Sequence, residues 1–254
     1  MTVLDGRMPE LLGGPRPLLG IFISIPSPAL VEMAGHAGFD FVVIDNEHGP
    51  AGIETTEHLI RAARCAGVVP IVRVSGANQQ EILRTLDVGA SGVQVPQVNT
   101  LEQARLVAGA AKYPPAGSRG VAFGTRAAGY GFFGGAPYVA AANEQTVVVS
   151  HIETVEAVEN LDAMLQIEGL DVIFIGPTDL SVSMGHPGNP NHPDVQSTIT
   201  DCIRRIAAAG RAPGLMVTST AEFQQWADIG ARYITINMAS VVGAALKAAV
   251  AAAR

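Results

Sequence analysis

A closed (β/α)₈ barrel, forming one α/β domain over residues 1–254, is the fold this sequence predicts. Three observations carry the prediction. Eight short apolar runs, rich in β-branched residues, recur along the chain, and amphipathic stretches follow them. Gly38, Gly67, Gly89, Gly210 and Gly230 close five of those stretches shortly before the next apolar run, where a helix feeding a parallel strand needs a C-terminal stop. A length of 254 residues also suits a single barrel. Eight such repeats close a barrel more readily than they extend an open sheet.

In chain order the expected strands are 20–25, 41–45, 69–74, 92–96, 147–152, 172–176, 214–217 and 233–237. Each is short and apolar enough to be covered on both faces. The expected helices are 28–37, 53–66, 79–88, 100–112, 155–167, 194–209, 221–229 and 239–252. One interval, 113–146, breaks the rhythm with Pro114, Pro115, Gly117, Gly120, Tyr130, Phe132, Phe133 and Tyr138. A loop of that length is usually functional or an interface. It is expected at the bottom of the barrel, in subunit contacts. The alternative is that Ser118-Arg119-Gly120 and Gly124-Thr-Arg126 reach a ligand. The Ala-rich tail, 239–254, forms the last helix.

Composition narrows the class. Hydrophobic residues make up 48% of the chain and charged residues only 15%, so part of the surface is expected to be buried against other subunits. A net charge of −7 with no Lys/Arg cluster argues against a nucleic-acid partner. Cys65 and Cys202 have no metal-type spacing and make no disulfide framework, which fits a reducing compartment. The first twenty residues lack the basic-then-apolar order of a signal peptide, and no apolar run is long enough for a membrane span. A cytoplasmic location is the resulting expectation.

The chemistry is expected where strands end, at one mouth of the barrel. Two runs, Val147-Val-Val-Ser-His-Ile-Glu153 and Asp171-Val-Ile-Phe-Ile-Gly-Pro-Thr-Asp179, each lead to a carboxylate. Side by side at a rim, Glu153 and Asp179 repel each other unless a cation lies between them. Two carboxylates plus water suit a hard divalent ion such as Mg²⁺ or Mn²⁺. Each acid also has a plain structural reading: Glu153 as a first-turn helix acid, Asp179 as an N-cap. Arg73, inside the apolar run Pro70-Ile-Val-Arg-Val74, either pairs with Asp45 or Glu47 or clamps a carboxylate or developing oxyanion. His48 is either a capped loop histidine or, beside Asp45, an oriented general base. Gln94 and Thr178 complete the ring of polar strand ends. The sole lysines, Lys112 and Lys247, fall in helices outside the mouth, which argues against Schiff-base chemistry.

Several of these segments together resemble the HpcH/HpaI aldolase family: Phe41-Val-Val-Ile-Asp-Asn-Glu-His48, Pro70-Ile-Val-Arg73, Ile152-Glu153-Thr154 and Phe174-Ile-Gly-Pro-Thr-Asp-Leu-Ser181. Tyr113-Pro-Pro-Ala-Gly-Ser-Arg-Gly120 and Gly185-His-Pro-Gly-Asn-Pro-Asn-His-Pro193 add to it, in the right order over roughly residues 18–240. The resemblance implies a metal-dependent pyruvate aldolase on a (β/α)₈ barrel. Its reaction is the reversible cleavage of a 4-hydroxy-2-oxo acid to pyruvate and an aldehyde. It further implies a hexamer, a trimer of dimers that exchange the last helix.

By resemblance, Glu153 and Asp179 hold the metal, while Arg73 binds pyruvate and stabilises its enolate. His48 supported by Asp45 moves the proton. Gly176, Pro177 and Thr178 border the pyruvate site, Phe22 replaces a usual Trp, and Asp87 approaches the neighbouring subunit's site. Two positions depart from the pattern: Asn46 stands for a usual Gly, and His151 for a usual Gln. Residues two apart on a strand share a face, so His151 and Glu153 both look into the mouth. His151 then either replaces Gln as a hydrogen-bond donor or adds a nitrogen ligand, shifting preference toward Co²⁺, Zn²⁺ or Fe²⁺. The competing functions are a metal-enolate lyase acting on a CoA thioester and a non-catalytic barrel.

Overall fold

A computed structural model describes residues 5–254; residues 1–4 of the expected 1–254 domain, and part of the stretch read against a signal peptide, lie outside it. Its eight strands are β1 (Leu18–Ile23), β2 (Phe41–Asp45), β3 (Val69–Arg73), β4 (Gly92–Val95), β5 (Val147–Ile152), β6 (Val172–Ile175), β7 (Ala212–Met216) and β8 (Tyr233–Asn237). All pair in parallel in sequence order, and β8 closes on β1, giving the barrel the sequence predicts. β1 and β7 each begin two residues earlier than expected, next to prolines that disguised their starts. Pro213 lacks an N–H, yet its carbonyl accepts from the Arg232 amide at 2.8 Å, so it joins the ladder from one side.

The helices are α1 (Arg7–Gly13), α2 (Pro28–Ala37), α3 (Ile53–Cys65), α4 (Gln79–Asp87), α5 (Leu101–Ala111), α6 (Gly135–Gln145), α7 (Val155–Met164), α8 (Pro177–Ser183), α9 (Pro193–Ala208), α10 (Ala221–Ile229) and α11 (Met238–Ala253). Gly38 ends α2 at φ 95°, accepting a left-handed conformation that a side chain resists. No helix of the described residues is long and apolar enough to cross a membrane.

Two segments differ from expectation. The first is α1, unforeseen among the glycines and prolines of the N-terminus. It brings Met8, fully buried, beneath the barrel together with Leu11 and Leu12. The second is the 113–146 interval, which is not a plain loop. It contains α6 and a short 3₁₀ turn, and it closes its own small core of Tyr113, Ala127, Ala128, Tyr138 and Ala142. Arg119 is buried there, bonded to Asp87 at 2.8 Å with its guanidinium 4.5 Å from the Tyr113 ring centre. Arg126 donates to the Val88 carbonyl at 2.9 Å. Within the chain these two cations hold the segment together.

Alternation along the strands sorts the residues into two cores. Ile21, Ile23, Val42, Ile44, Val93, Val148 and Ile173 face the surrounding helices. Leu18, Phe22, Phe41, Val43, Val69, Ile71, Val147, Val149, Val172, Phe174 and Tyr233 fill the barrel. The filling is tight. Phe41 stacks on Tyr233 with ring centres 4.1 Å apart, and a Cβ at Gly20 would lie 2.1 Å from the Phe41 ring. Gly20→Ala is therefore expected to destabilise the fold by about 1–3 kcal/mol through overpacking, read as a lower urea midpoint; an unchanged midpoint would contradict this packing.

Candidate active site

Extending each inward row by one or two residues past the barrel core reaches the mouth. On β2 and β3 the rows end at Asp45 and Arg73, which are register partners. The Arg73 guanidinium meets Asp45 side on, Nε to Oδ1 at 2.9 Å and Nη2 to Oδ2 at 2.7 Å, and its Nη1 lies 2.7 Å from Glu47 Oε2. The Phe22 ring lies against it, 4.9 Å from the guanidinium carbon. The structural pairing expected for Arg73 is present with both acids. Only two of its N–H groups are spent on Asp45, so the planar fork can still donate toward the cavity.

Asp45 also organises the loop after β2. Its Oδ1 accepts from the amides of Glu47 and His48, both at 3.2 Å. It does not reach the His48 ring, contrary to the expected Asp45–imidazole support. The Asp45 oxygens are already taken by Arg73 and the backbone. The ring is 69% exposed, with Nε2 3.8 Å from Glu47 Oε2. Asn46 points away, bonding Thr56 at 3.0 Å. Burial raises the Glu47 carboxyl above its ordinary value, against the pull of Arg73.

The β5 row ends on His151 and Glu153, both buried. Glu153 Oε1 lies 2.6 Å from His151 Nδ1, and Oε2 accepts from the Gln97 amide at 2.9 Å. Burial works to raise this carboxyl. The contacts with His151, the Gln97 amide and Arg73 outweigh it and hold the group below the usual range. Gln97 makes its contact from φ 55°, a strained conformation for a side-chain-bearing residue and of the kind concentrated at functional sites. On the other side, His151 Nε2 lies 2.6 Å from Gln94 Nε2. Both ring nitrogens are thus engaged within the chain, so the contacts match the hydrogen-bonding reading of His151.

After β6, Gly176 leaves room for Glu153: a Cβ there would lie 2.8 Å from Glu153 Cγ and 2.9 Å from its Oε1. Asp179 follows in the first turn of α8, exposed and without a hydrogen bond among the described residues. These side chains surround one cavity of about 300 Å³. Phe22, Asp45, His48, Arg73, His151, Glu153, Gly176, Pro177, Thr178 and Asp179 all line it, as predicted; Ser24, Phe174, Met216 and Asn237 line it too. Phe174, Met216 and Asn237 were legible as inward positions of β6, β7 and β8. The Gln97 contact was not, because it depends on a backbone angle. Asp87 is not brought in: at the end of α4 it pairs with Arg119.

Arg73 is the one guanidinium or ammonium group among the described residues lining the cavity, against Asp45, Glu153 and Asp179, with Glu47 at its back. Glu153 keeps one lone-pair direction on each oxygen beyond its two hydrogen bonds, and Asp179 is unencumbered. This all-oxygen pair fits a hard divalent cation. His186, His192 and Asp194 cluster elsewhere, but the two imidazoles stack 3.6 Å apart at 13°. Their lone pairs therefore run side by side instead of converging.

The sequence pattern matches the model of a known family, HpcH/HpaI aldolase/citrate lyase, over residues 18–239. The chain belongs to that family. Membership, with aldolase relatives of high coverage, makes it a carbon–carbon lyase. A 2-keto-3-deoxy-L-rhamnonate aldolase of Klebsiella pneumoniae subsp. pneumoniae is 40% identical over 221 residues, 87% of this chain and 82% of the relative. A 4-hydroxy-2-oxo-heptane-1,7-dioate aldolase of the same organism is 37% identical over 236 residues, 92% and 88% of the two chains. A solved HpcH/HpaI aldolase/citrate lyase family protein from Burkholderia cenocepacia J2315 superposes with a TM-score of 0.91 at 32% identity, covering 97% of this chain and 98% of that one. The position of Glu153 in the cavity depends on the space at Gly176. Gly176→Ala should push Glu153 aside and cost about 10²-fold in kcat/KM with the far-ultraviolet spectrum unchanged; wild-type activity would show that the carboxylate tolerates displacement.

Proposed function

We propose that this protein cleaves a 4-hydroxy-2-oxo acid reversibly to pyruvate and an aldehyde. The observation that carries the reading is the single cavity where Glu153, Asp179 and Arg73 meet, an acid pair facing one guanidinium. Glu153 and Asp179 would hold a divalent ion, Mg²⁺ or Mn²⁺ by the chemistry of two carboxylates. That ion supplies Lewis-acid polarisation of the substrate's carboxylate and ketone oxygens.

The chain's own residues supply the rest. Arg73, fixed by Asp45 and backed by Phe22, offers its remaining N–H groups to the pyruvate carboxylate and to the oxygen where enolate charge develops. Pro177 and Thr178, at the start of α8, border the same space. His48, at the rim beside Glu47, takes the proton of the C4 hydroxyl as the C3–C4 bond breaks. The bond's electron pair passes to the C2 carbonyl as enolate, and protonation at C3 completes pyruvate. Phe174 and Met216 make the wall apolar and limit water. No lysine takes part: Lys112 is held below the mouth, donating to the Asn143 carbonyl at 2.7 Å, and Lys247 lies on α11. Assembly belongs to the same reading. α11 buries only Met238 and exposes Val241, Leu246 and Val250, which supports an exchanged last helix in a hexamer. Asp87 would then meet a neighbouring subunit's site.

The charge balance of the cavity also bears on the aldehyde half. Asp45 and Glu47 occupy Arg73 from one side, and no second cation lines the cavity among the described residues. Even with a divalent ion on Glu153 and Asp179 counted, the four carboxylates exceed the ion and Arg73 by one charge, and the pyruvate carboxylate adds another. An aldehyde with its own carboxylate would therefore meet net negative charge, which typically costs several kcal/mol when like charges are juxtaposed. An uncharged hydroxyaldehyde product fits better.

Arg73→Ala should lose about 2–3 kcal/mol of transition-state stabilisation, roughly 30- to 150-fold in kcat/KM. Glu153→Ala and Asp179→Ala should each abolish both pyruvate release and Mn²⁺ binding; full pyruvate-forming activity after EDTA treatment would refute the metal-dependent reading. Assayed side by side, a 2-keto-3-deoxy sugar acid should exceed the corresponding dioate by at least about tenfold in kcat/KM, or about 1.4 kcal/mol. A preference for the dioate would overturn the assignment of the aldehyde half.

A further inference from the structure

We infer that Tyr233 and Gln94, deep inside the barrel, position Glu153 by fixing which nitrogen of His151 carries the proton. Four side chains from β8, β4 and β5 form one unbranched chain of contacts. Tyr233 Oη lies 2.9 Å from Gln94 Oε1, Gln94 Nε2 lies 2.6 Å from His151 Nε2, and His151 Nδ1 lies 2.6 Å from Glu153 Oε1. Tyr233 and Gln94 are completely buried, His151 is 1% exposed and Glu153 3%. The chain runs from the enclosed barrel interior to the cavity, which its last two members, His151 and Glu153, line.

Donor accounting fixes its direction. The phenol of Tyr233 has one hydrogen and, at full burial, one partner. It must donate to the Gln94 carbonyl oxygen, because a buried hydroxyl that donates to nothing costs about 1–3 kcal/mol. That orients the Gln94 amide, whose NH₂ then faces His151 and needs an acceptor. His151 Nε2 is consequently bare and its proton sits on Nδ1, pointing at Glu153. The reverse order would turn the Gln94 amide over, place hydrogens on both His151 nitrogens and orphan the phenolic hydrogen. Packing prevents the members from escaping. Tyr233 is stacked on Phe41 and meets Phe174 edge on, and His151 is stacked on Phe174 with ring centres 4.7 Å apart.

The consequence falls on Glu153. His151 claims the outer lone pair of Oε1, and the Gln97 amide claims one on Oε2, so the carboxylate is held in one rotation with its other lone pairs toward the cavity. Tyr233 and Gln94 are positioning residues, acting on the site through His151 without touching substrate. The effect on metal affinity rests on Glu153 being a ligand, whereas the proton order does not.

The test separates the two. In metal-free protein with ¹⁵N-labelled histidine, the buried ring should show a bare Nε2 and a protonated Nδ1. Tyr233→Phe removes only the hydroxyl. It should allow a protonated Nε2 form to appear and should weaken Mn²⁺ binding about tenfold, the scale of lost support to a ligating side chain. His151→Phe should weaken Mn²⁺ binding similarly, and His151→Gln should recover most of that loss, because an amide can accept from Gln94 and donate to Glu153 together. A wild-type ring protonated on Nε2 overturns the proposal, and so does Tyr233→Phe with both proton position and Mn²⁺ affinity unchanged. If Tyr233→Phe does not fold, the wild-type spectrum and the two His151 variants decide. Unchanged Mn²⁺ affinity in Glu153→Ala would instead overturn the ligand assignment, leaving the spectral result to judge the relay.

Discussion

Everything at the mouth answers to one constraint: acids outnumber cations there. Two unit charges 4 Å apart interact by about 4 kcal/mol at an effective dielectric of 20, and Asp45, Glu47, Glu153 and Asp179 share Arg73 alone. The protein spends Arg73 on the β2 side. Asp45 takes it side on, Glu47 approaches from behind, and the loop to His48 folds back over Asp45 through its own amides. That leaves the β5–β6 side to be balanced by other means. Glu153 is partly balanced by the Gln97 amide and the His151 ring; Asp179 is not balanced by any described residue. The asymmetry leaves Glu153 and Asp179, on the β5–β6 side, as the acids that a bound cation would balance, with Arg73 across the cavity from them.

Barrel register converts this electrostatic arrangement into geometry. Asp45 and Arg73 are direct partners across β2 and β3, so their pairing follows from strand alignment. His151 pairs across to Phe174, and the next inward positions are Glu153 and Gly176. The absent side chain at Gly176 is what lets the Glu153 carboxylate lie flat against the start of α8. Because side chains alternate with period two, a one-residue slip of β5 would exchange Glu153 for Ile152 at the mouth. The same alternation packs Phe41, Phe174 and Tyr233 just beneath, so the charged layer rests on a stiff aromatic one.

Much of this was readable from the chain. The eight strands are β-branched runs between glycine stops, and Glu153 and Asp179 follow two such runs, so period and position alone bring them to one cavity. What was not readable shares a physical cause: it depends on partners remote in sequence or on backbone angles. Asp45 was expected to orient His48, but its oxygens were claimed by Arg73, 28 residues away. Gln94 and Tyr233 are 139 residues apart, and nothing local in either strand announces their bond. α6 escaped because its alanines and single aromatic give no clear apolar stripe, and α8 because seven residues after Gly176 read as loop. The strained Gln97 amide has no sequence signature at all.

Seen through that buried chain, the histidine at 151 is less anomalous than its chemistry suggests. A neutral imidazole and a carboxamide share one relevant property: each offers one donor and one acceptor at opposite ends of a flat group. Between Gln94, which must donate, and Glu153, which must receive, either residue fits. A nitrogen ligand would need Nδ1 to release its hydrogen and turn from Glu153, leaving a desolvated carboxylate with one fewer donor. Tyr233 and Gln94 are fully enclosed and bonded to each other, so no new donor reaches Glu153 from their side. On the proposed reading, in which Glu153 and Asp179 would hold the ion through oxygen, the departure at 151 keeps the direction of every hydrogen bond behind the Glu153 carboxylate.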